Sequence, residues 1–202
     1  GRASSGSVTN RPIVINPRTS SASSAESASR DSGRSAGANP ALAGSPSTLT
    51  WSKIGYYPGT GPSGPVVVVG DSLTWQSIIP AMNTLIDRGY GPICLDGVIS
   101  RSTLSGSASI TSARSGIERI KASHPFWRMP AVRWVVAMGT NDIAVTNTNV
   151  AATRQRIDGI VAAIGSGDHL IGWINLRTRL GSPWTAREDV FNQQIAATPG
   201  VY

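Results

Sequence analysis

The chain has 202 residues, 40% of them hydrophobic, which is enough for one domain of ordinary size with additional material. Its net charge is +7, but the Lys and Arg residues are scattered rather than collected on one element among aromatic side chains, so the pattern does not favour a nucleic-acid-binding protein. A single cysteine, Cys94, excludes an intramolecular disulfide and a cysteine-based zinc site, and no stretch approaches the roughly 20 apolar residues that span a bilayer.

Residues 1–62 are dominated by Ser, Ala, Gly, Pro, Thr and Asn. Such a segment buries too little apolar surface to offset the conformational entropy that is lost on ordering. We therefore predict a basic arm or linker over residues 1–62, attracted to acidic surfaces such as cell-wall polymers. One short apolar run within it, RPIVINP at residues 11–17, has the composition of a segment that adds to a sheet edge or docks on a neighbouring molecule.

From residue 65 onward, short apolar runs alternate with helical periodicity. The runs predict strands at residues 65–70, 92–96, 132–138 and 170–176, each apolar on both faces. Between them, helices are predicted at residues 80–88, around Ile110, Ile117 and Ile120, at residues 150–164 with Gly165 as a stop, and from Thr185 onward.

Two of these helices carry specific start signals. Pro80 is placed in the first turn of its helix, where proline is tolerated, and Thr185 with Glu188 has the spacing of a capping box. The strict alternation of strands and helices predicts an α/β domain over residues 63–202, with a parallel sheet and helices on both faces. Val201 and Tyr202 resemble the opening of a further strand, so we expect more polypeptide to belong to this domain.

Ser72 follows the first predicted strand within Gly70-Asp71-Ser72-Leu73. Ligands gather at the carboxyl ends of parallel strands, which makes Ser72 a candidate nucleophile. The loop DGVISRSTLSG, at residues 96–106, follows the second strand and can supply backbone N–H groups, while Asn141 follows the third strand within GTND. Either motif alone is equally typical of a simple turn or helix start, but their order on successive strand ends favours an acyl-transfer site.

This pair of motifs resembles the SGNH (GDSL) hydrolase superfamily over residues 65–202. The resemblance implies a three-layer α/β/α, flavodoxin-like fold, with Ser72 as the nucleophile and Asn141 with the Ser72 N–H in the oxyanion hole. DGVISRS resembles the D-x-x-x-G-R-x block of peptidoglycan O-acyltransferase and esterase-like members, which places Ser100 at the position of an N–H-donating glycine. Ser100 must then adopt a backbone shape that glycine allows more easily, and Gly97 is the alternative donor. The resemblance implies neither a cofactor nor a metal.

The family takes its general base from a D-x-x-H motif near the end of the domain, and no such motif occurs in this chain. His124 precedes the third predicted strand and His169 the fourth, whereas Ser72 follows the carboxyl end of the first. A strand of about six residues spans roughly 20 Å, far beyond the ~3 Å reach of proton transfer. We therefore expect the base on residues that are not in the given chain or on a second chain, or else to have been lost.

The sequence thus predicts a serine esterase or acyltransferase that acts on an ester-bearing small molecule or a cell-wall glycan, outside the cell or at its envelope. The alternative is a non-catalytic structural component of a phage virion or surface assembly that reuses the fold. Arg101, beside the loop that holds Ser100, is interpreted as a solvated rim residue, with binding of an anionic substrate group as the second possibility.

Overall fold

The computed structural model describes residues 52–105, 114–122, 131–165, 169–177 and 180–202. Residues 11–17, Ile110 and His124, which the sequence analysis discusses, lie outside these ranges. The described chain forms a five-stranded sheet in the order β1-β3-β2-β4-β5. The strands are β1 (Ser52–Tyr57), β2 (Gly64–Gly70), β3 (Tyr90–Val98), β4 (Arg133–Ala137) and β5 (Leu170–Trp173).

Strands β2 to β5 are parallel to one another, and β1 is antiparallel to β3. Five helices occur in the described residues: α1 (Ser72–Asp87), α2 (Gly116–Lys121), α3 (Ile143–Thr146), α4 (Val150–Ile164) and α5 (Trp184–Ala196). The α/β class predicted from the alternation of elements is therefore confirmed, as are strands at all four predicted positions. None of the helices in the described part of the chain has the length and apolar content needed to cross a membrane.

The consecutive valines of β2 explain why this strand is central. Val66 and Val68 pack with Ile78 of α1, whereas Val67 and Val69 pack in a larger cluster with residues of α2, α4 and α5. Because successive side chains of a strand point to opposite faces, both faces of β2 are covered by helices. Full burial of each valine contributes about 1.5–3 kcal/mol relative to exposure.

Strand β1 lies within residues 1–62, which the sequence analysis assigned to the arm, so the sheet begins earlier than predicted. The strand was missed because residues 1–62 were assigned to the arm from their composition. Ile54 and Tyr56 are more than half exposed, while the inward-facing Gly55 packs against Met82 and Ile78 of α1. An edge strand with apolar residues outside and glycine inside resembles a polar linker when only composition is considered.

One predicted helix start and one predicted helix cap are wrong. Helix α1 begins at Ser72, capped by the Asp71 side chain, and Pro80 lies in its interior rather than in its first turn. Pro80 and Gln76 are both exposed, so water can satisfy the Gln76 carbonyl that the proline leaves without a helical donor. Helix α5 begins at Trp184, before Thr185, and no side chain caps it, so the predicted capping box does not form.

Candidate active site

The turn that presents Ser72 is built from glycine and aspartate. At Gly70, an added Cβ would lie 1.8 Å from Thr74 Oγ1, so only glycine fits between β2 and the first turn of α1. The Asp71 carboxylate accepts the Leu73 N–H at 3.0 Å and thereby starts the helix immediately after the strand. Ser72 is partly buried at the first helical position, and its N–H has no acceptor among the described residues.

Ser100 lies in the turn that follows β3 and has a φ of 60°, in the left-handed region that glycine favours. This is the backbone shape that the resemblance required at the position of an N–H-donating glycine. The Ser100 N–H, like that of Ser72, has no acceptor among the residues that the structure describes. Gly97 instead lies inside β3, paired with Lys53 and Gly70, which favours Ser100 over Gly97 as a donor to a ligand.

Asn141 lies in the turn after β4, and its Nδ2 donates a hydrogen bond to the Arg101 carbonyl at 2.9 Å. A carboxamide nitrogen carries two hydrogens, so one N–H of Asn141 remains for a further acceptor. The side chain thus joins the turn after β4 to the turn after β3, next to Ser100.

Arg101 links the loops of the site through hydrogen bonds, and it is only 2% exposed. Its NH1 donates to the Gly70 carbonyl at 3.3 Å and to Asp96 Oδ1 at 2.8 Å, and its Nε donates to the Arg114 carbonyl at 3.2 Å. The interpretation of Arg101 as a solvated rim residue is therefore wrong. Its guanidinium is not at the surface to meet a substrate anion either, because it forms hydrogen bonds within the protein.

These contacts bring the three predicted site segments together. Arg101 contacts Gly70 through its side chain and Asn141 through its carbonyl, and the Asp71 N–H donates to the Ala137 carbonyl at 3.2 Å. Ser72, Ser100 and Asn141 therefore all lie at the carboxyl edge of the parallel strands. Within the described residues, this edge has two backbone N–H groups without an acceptor and one further amide N–H, which is suited to hold a developing negative charge on oxygen.

Two buried carboxyl groups lie beneath this edge. Burial raises the pKa of Asp142, although its carboxylate accepts from Thr103 N at 3.1 Å, Thr103 Oγ1 at 2.7 Å and Arg156 Nε at 3.1 Å. Burial also raises the pKa of Asp71 to about 6, opposed by the Leu73 N–H and the Thr140 side chain and assisted by Asp142. Thr140 lies near this carboxyl, but Asp71 Oδ2 has no hydrogen-bond partner of ordinary geometry among the described residues.

The described residues place no histidine near Ser72. His169 immediately precedes β5, where Leu170 is level with Arg133 of β4 and therefore with Val66 at the start of β2. Ser72 lies six residues beyond Val66, or roughly 20 Å along the strand direction. The Ser72 hydroxyl also has no hydrogen-bond partner among the described residues.

The sequence analysis missed Lys53, which reaches the same edge from β1. Lys53 is paired with Gly97, and its Nζ lies 3.7 Å from the centroid of the Trp75 ring, one helical turn after Ser72. The signal that could have found it is the alternation of polar or small and apolar residues in SKIGYY, which is typical of a strand.

Comparison of the chain with protein-family models, curated proteins and solved structures found no significant match.

Proposed function

We propose that this chain is a serine esterase or acyltransferase of the SGNH type, with the three-layer, flavodoxin-like arrangement of that superfamily. The observation that carries the proposal is the position of Ser72 at the first turn of α1, with the turns of Ser100 and Asn141 joined to it through Arg101. The proposed substrate is a cell-envelope or carbohydrate ester, and the proposed location is outside the cell or at its envelope.

In this mechanism the Ser72 Oγ attacks the carbonyl carbon of the ester and its proton passes to a general base. The carbonyl oxygen becomes an oxyanion, which accepts hydrogen bonds from the N–H groups of Ser72 and Ser100 and from Asn141 Nδ2. Collapse of the tetrahedral intermediate breaks the bond between the carbonyl carbon and the alcohol oxygen. The alcohol oxygen takes up a proton and departs, and the acyl group remains on Ser72. Water or an acceptor alcohol then removes the acyl group by the reverse steps.

The general base is proposed to come from residues other than those that the structure describes, on a further segment or on a second chain. His169 does not fit this role because it lies at the opposite edge of the sheet. Ester turnover is therefore expected from the intact assembly and not from residues 1–202 alone, since a serine hydroxyl without a base is a weak nucleophile.

A fluorophosphonate probe tests the proposal on the intact protein from its native source. We expect one covalent adduct, located on Ser72 by peptide mass spectrometry and absent from Ser72→Ala. Ser77→Ala is the matched control, because Ser77 lies on an exposed part of the same helix and should not affect labelling. Absence of an adduct under native conditions would reject the enzymatic proposal.

That negative result would support the alternative function, a structural component of a virion or surface assembly. The observation that favours this alternative is that the Ser72 hydroxyl has no base within hydrogen-bonding distance in the described part of the chain.

A further inference from the structure

Lys53 has an environment that distinguishes it from the only other lysine of the chain, Lys121. Lys121 is exposed on α2, whereas Lys53 is partly buried with its ammonium over the Trp75 indole. A cation over the face of tryptophan is attracted by the ring quadrupole, which holds the charge in one place. The indole carries no negative charge, so it orients the Lys53 ammonium without neutralising it.

The Lys53 ammonium has no carboxylate within ion-pair distance among the described residues. An ammonium has three donors, and a ring beneath it leaves donors directed away from the ring. Asp96, which precedes Gly97 in β3, has a buried carboxylate that is already shared by Arg101 and Arg119, so it is not available to pair with Lys53.

The register of the sheet brings this ammonium to the same edge as Ser72. Lys53 is level with Gly97 of β3, and Gly97 is level with Gly70, two residues before Ser72. Gly97 lies so close to α1 that an added Cβ would be 2.4 Å from Trp75 N, which brings the end of β3 against the first turns of α1. Side chains three apart on a helix have Cβ atoms about 5–6 Å apart, so Trp75 and Ser72 are neighbours.

We propose that Lys53 and Trp75 form an anion-binding subsite at the same edge of the sheet as Ser72, and that the substrate carries a carboxylate in addition to its ester. The link to catalysis rests on the proposed function of Ser72. A single ammonium carries one positive charge, so it matches a monoanion such as a carboxylate better than a phosphate dianion. Arg101 does not compete for this anion because it is buried in contacts of its own.

The test is a binding measurement on the full chain with monomethyl succinate and its neutral analogue dimethyl succinate. Binding is followed by the indole N–H resonance of Trp75, assigned with Trp75→Phe. We expect monomethyl succinate to bind at least fivefold more tightly than the neutral diester, and Lys53→Met to abolish that preference. Lys53→Arg should retain most of it, and Lys121→Met should retain all of it. Added salt should weaken the preference, since it screens a partly exposed charge.

Equal affinity for the two esters in the wild-type chain, or a preference that persists in Lys53→Met, would overturn the subsite. Because binding requires no reaction, this result is independent of whether Ser72 forms an adduct with a fluorophosphonate. A chain that prefers the anionic ester but is not labelled by the fluorophosphonate has the subsite and lacks the proposed activity. A chain that is labelled at Ser72 but shows no preference for the anionic ester has the proposed activity and lacks the subsite.

Discussion

Asp71 combines two roles at one position, because it caps α1 while its carboxyl is fully buried. Burial raises its pKa from 3.8 to about 6. Between these values the folded protein binds more protons than the unfolded chain, so the contribution of Asp71 to stability is complete below pH 3.8 and is lost as the pH rises through about 6. The shift of about two pH units corresponds to roughly 3 kcal/mol.

Asp71→Asn isolates this effect, because asparagine keeps a side-chain oxygen for the Leu73 N–H but does not ionise. The free energy of unfolding of the variant minus that of the wild type should be about 2–3 kcal/mol larger at pH 8 than at pH 4. Urea unfolding at the two pH values measures this, with Asp87→Asn at the exposed end of α1 as the control. A difference from wild type that is the same at both pH values would show that Asp71 titrates normally.

Asn141 has a spare N–H beside the Ser100 turn, and the proposed function assigns it to the oxyanion. In the complete enzyme, Asn141→Ala should lower kcat by about 10²–10³ with little change in KM, because the lost bond forms mainly in the transition state. The lost bond to the Arg101 carbonyl should cost only about 1 kcal/mol of stability. Steady-state kinetics and urea unfolding of the same variant separate these effects. An unchanged kcat would remove Asn141 from the site.

The residues of the site differ in how far sequence alone could place them. Ser72 and Asn141 stand in short motifs at strand ends, so topology brings them to one edge of the sheet. The role of Arg101 could not be predicted, because burial of its guanidinium depends on the Gly70 carbonyl of β2, which is distant in the chain, as well as on the nearby Asp96 of β3. Lys53 was missed for a similar reason, since only the antiparallel register of β1 brings it opposite Gly97.

At the scale of helices, two sequences with capping-box spacing behave differently. In α2, the Ser115 side chain accepts from Glu118 N at 3.1 Å and Glu118 Oε2 accepts from Ser115 N at 2.8 Å, whereas the corresponding pair of Thr185 and Glu188 in α5 makes no cap. We expect Ser115→Ala to destabilise the protein by about 1 kcal/mol and Thr185→Ala by less than about 0.5 kcal/mol. Urea unfolding compares them, and equal losses would contradict the assigned caps.

The same contrast shows which elements local sequence determines. Helix α4 is amphipathic, begins at an Asn149 cap and ends at Gly165 with a φ of 93°, so periodicity and a stop signal were sufficient to predict it. Helix α1 begins eight residues before the predicted start because Asp71 caps it directly after the strand, and the interior proline masked that continuity. Helix α3 has only four residues, too few for any periodic signal.

At the scale of the whole molecule, the position of β1 predicts how truncations behave. All described residues belong to a unit that spans Ala43–Tyr202, and β1 lies near its beginning. Removal of residues 1–42 should leave the melting temperature within a few degrees, because that segment has little apolar surface to contribute. Removal of residues 1–57 should lower it by at least about 10 °C, since it uncovers β3 and α1. Equal melting temperatures for the two truncations would show that β1 is dispensable.

The four consecutive valines of β2, which face opposite sides of the sheet in turn, also determine how the native state unfolds. Loss of the helices on either face would leave half of the side chains of β2 in water, so neither hydrophobic cluster is expected to survive without the other. The backbone amides of Val67 and Val69 should accordingly be among the slowest to exchange with solvent, at rates set by global unfolding rather than by local fluctuation. Ser72 follows this strand by only a few residues, so the proposed nucleophile is attached to the strand whose backbone hydrogen bonds we expect to persist longest.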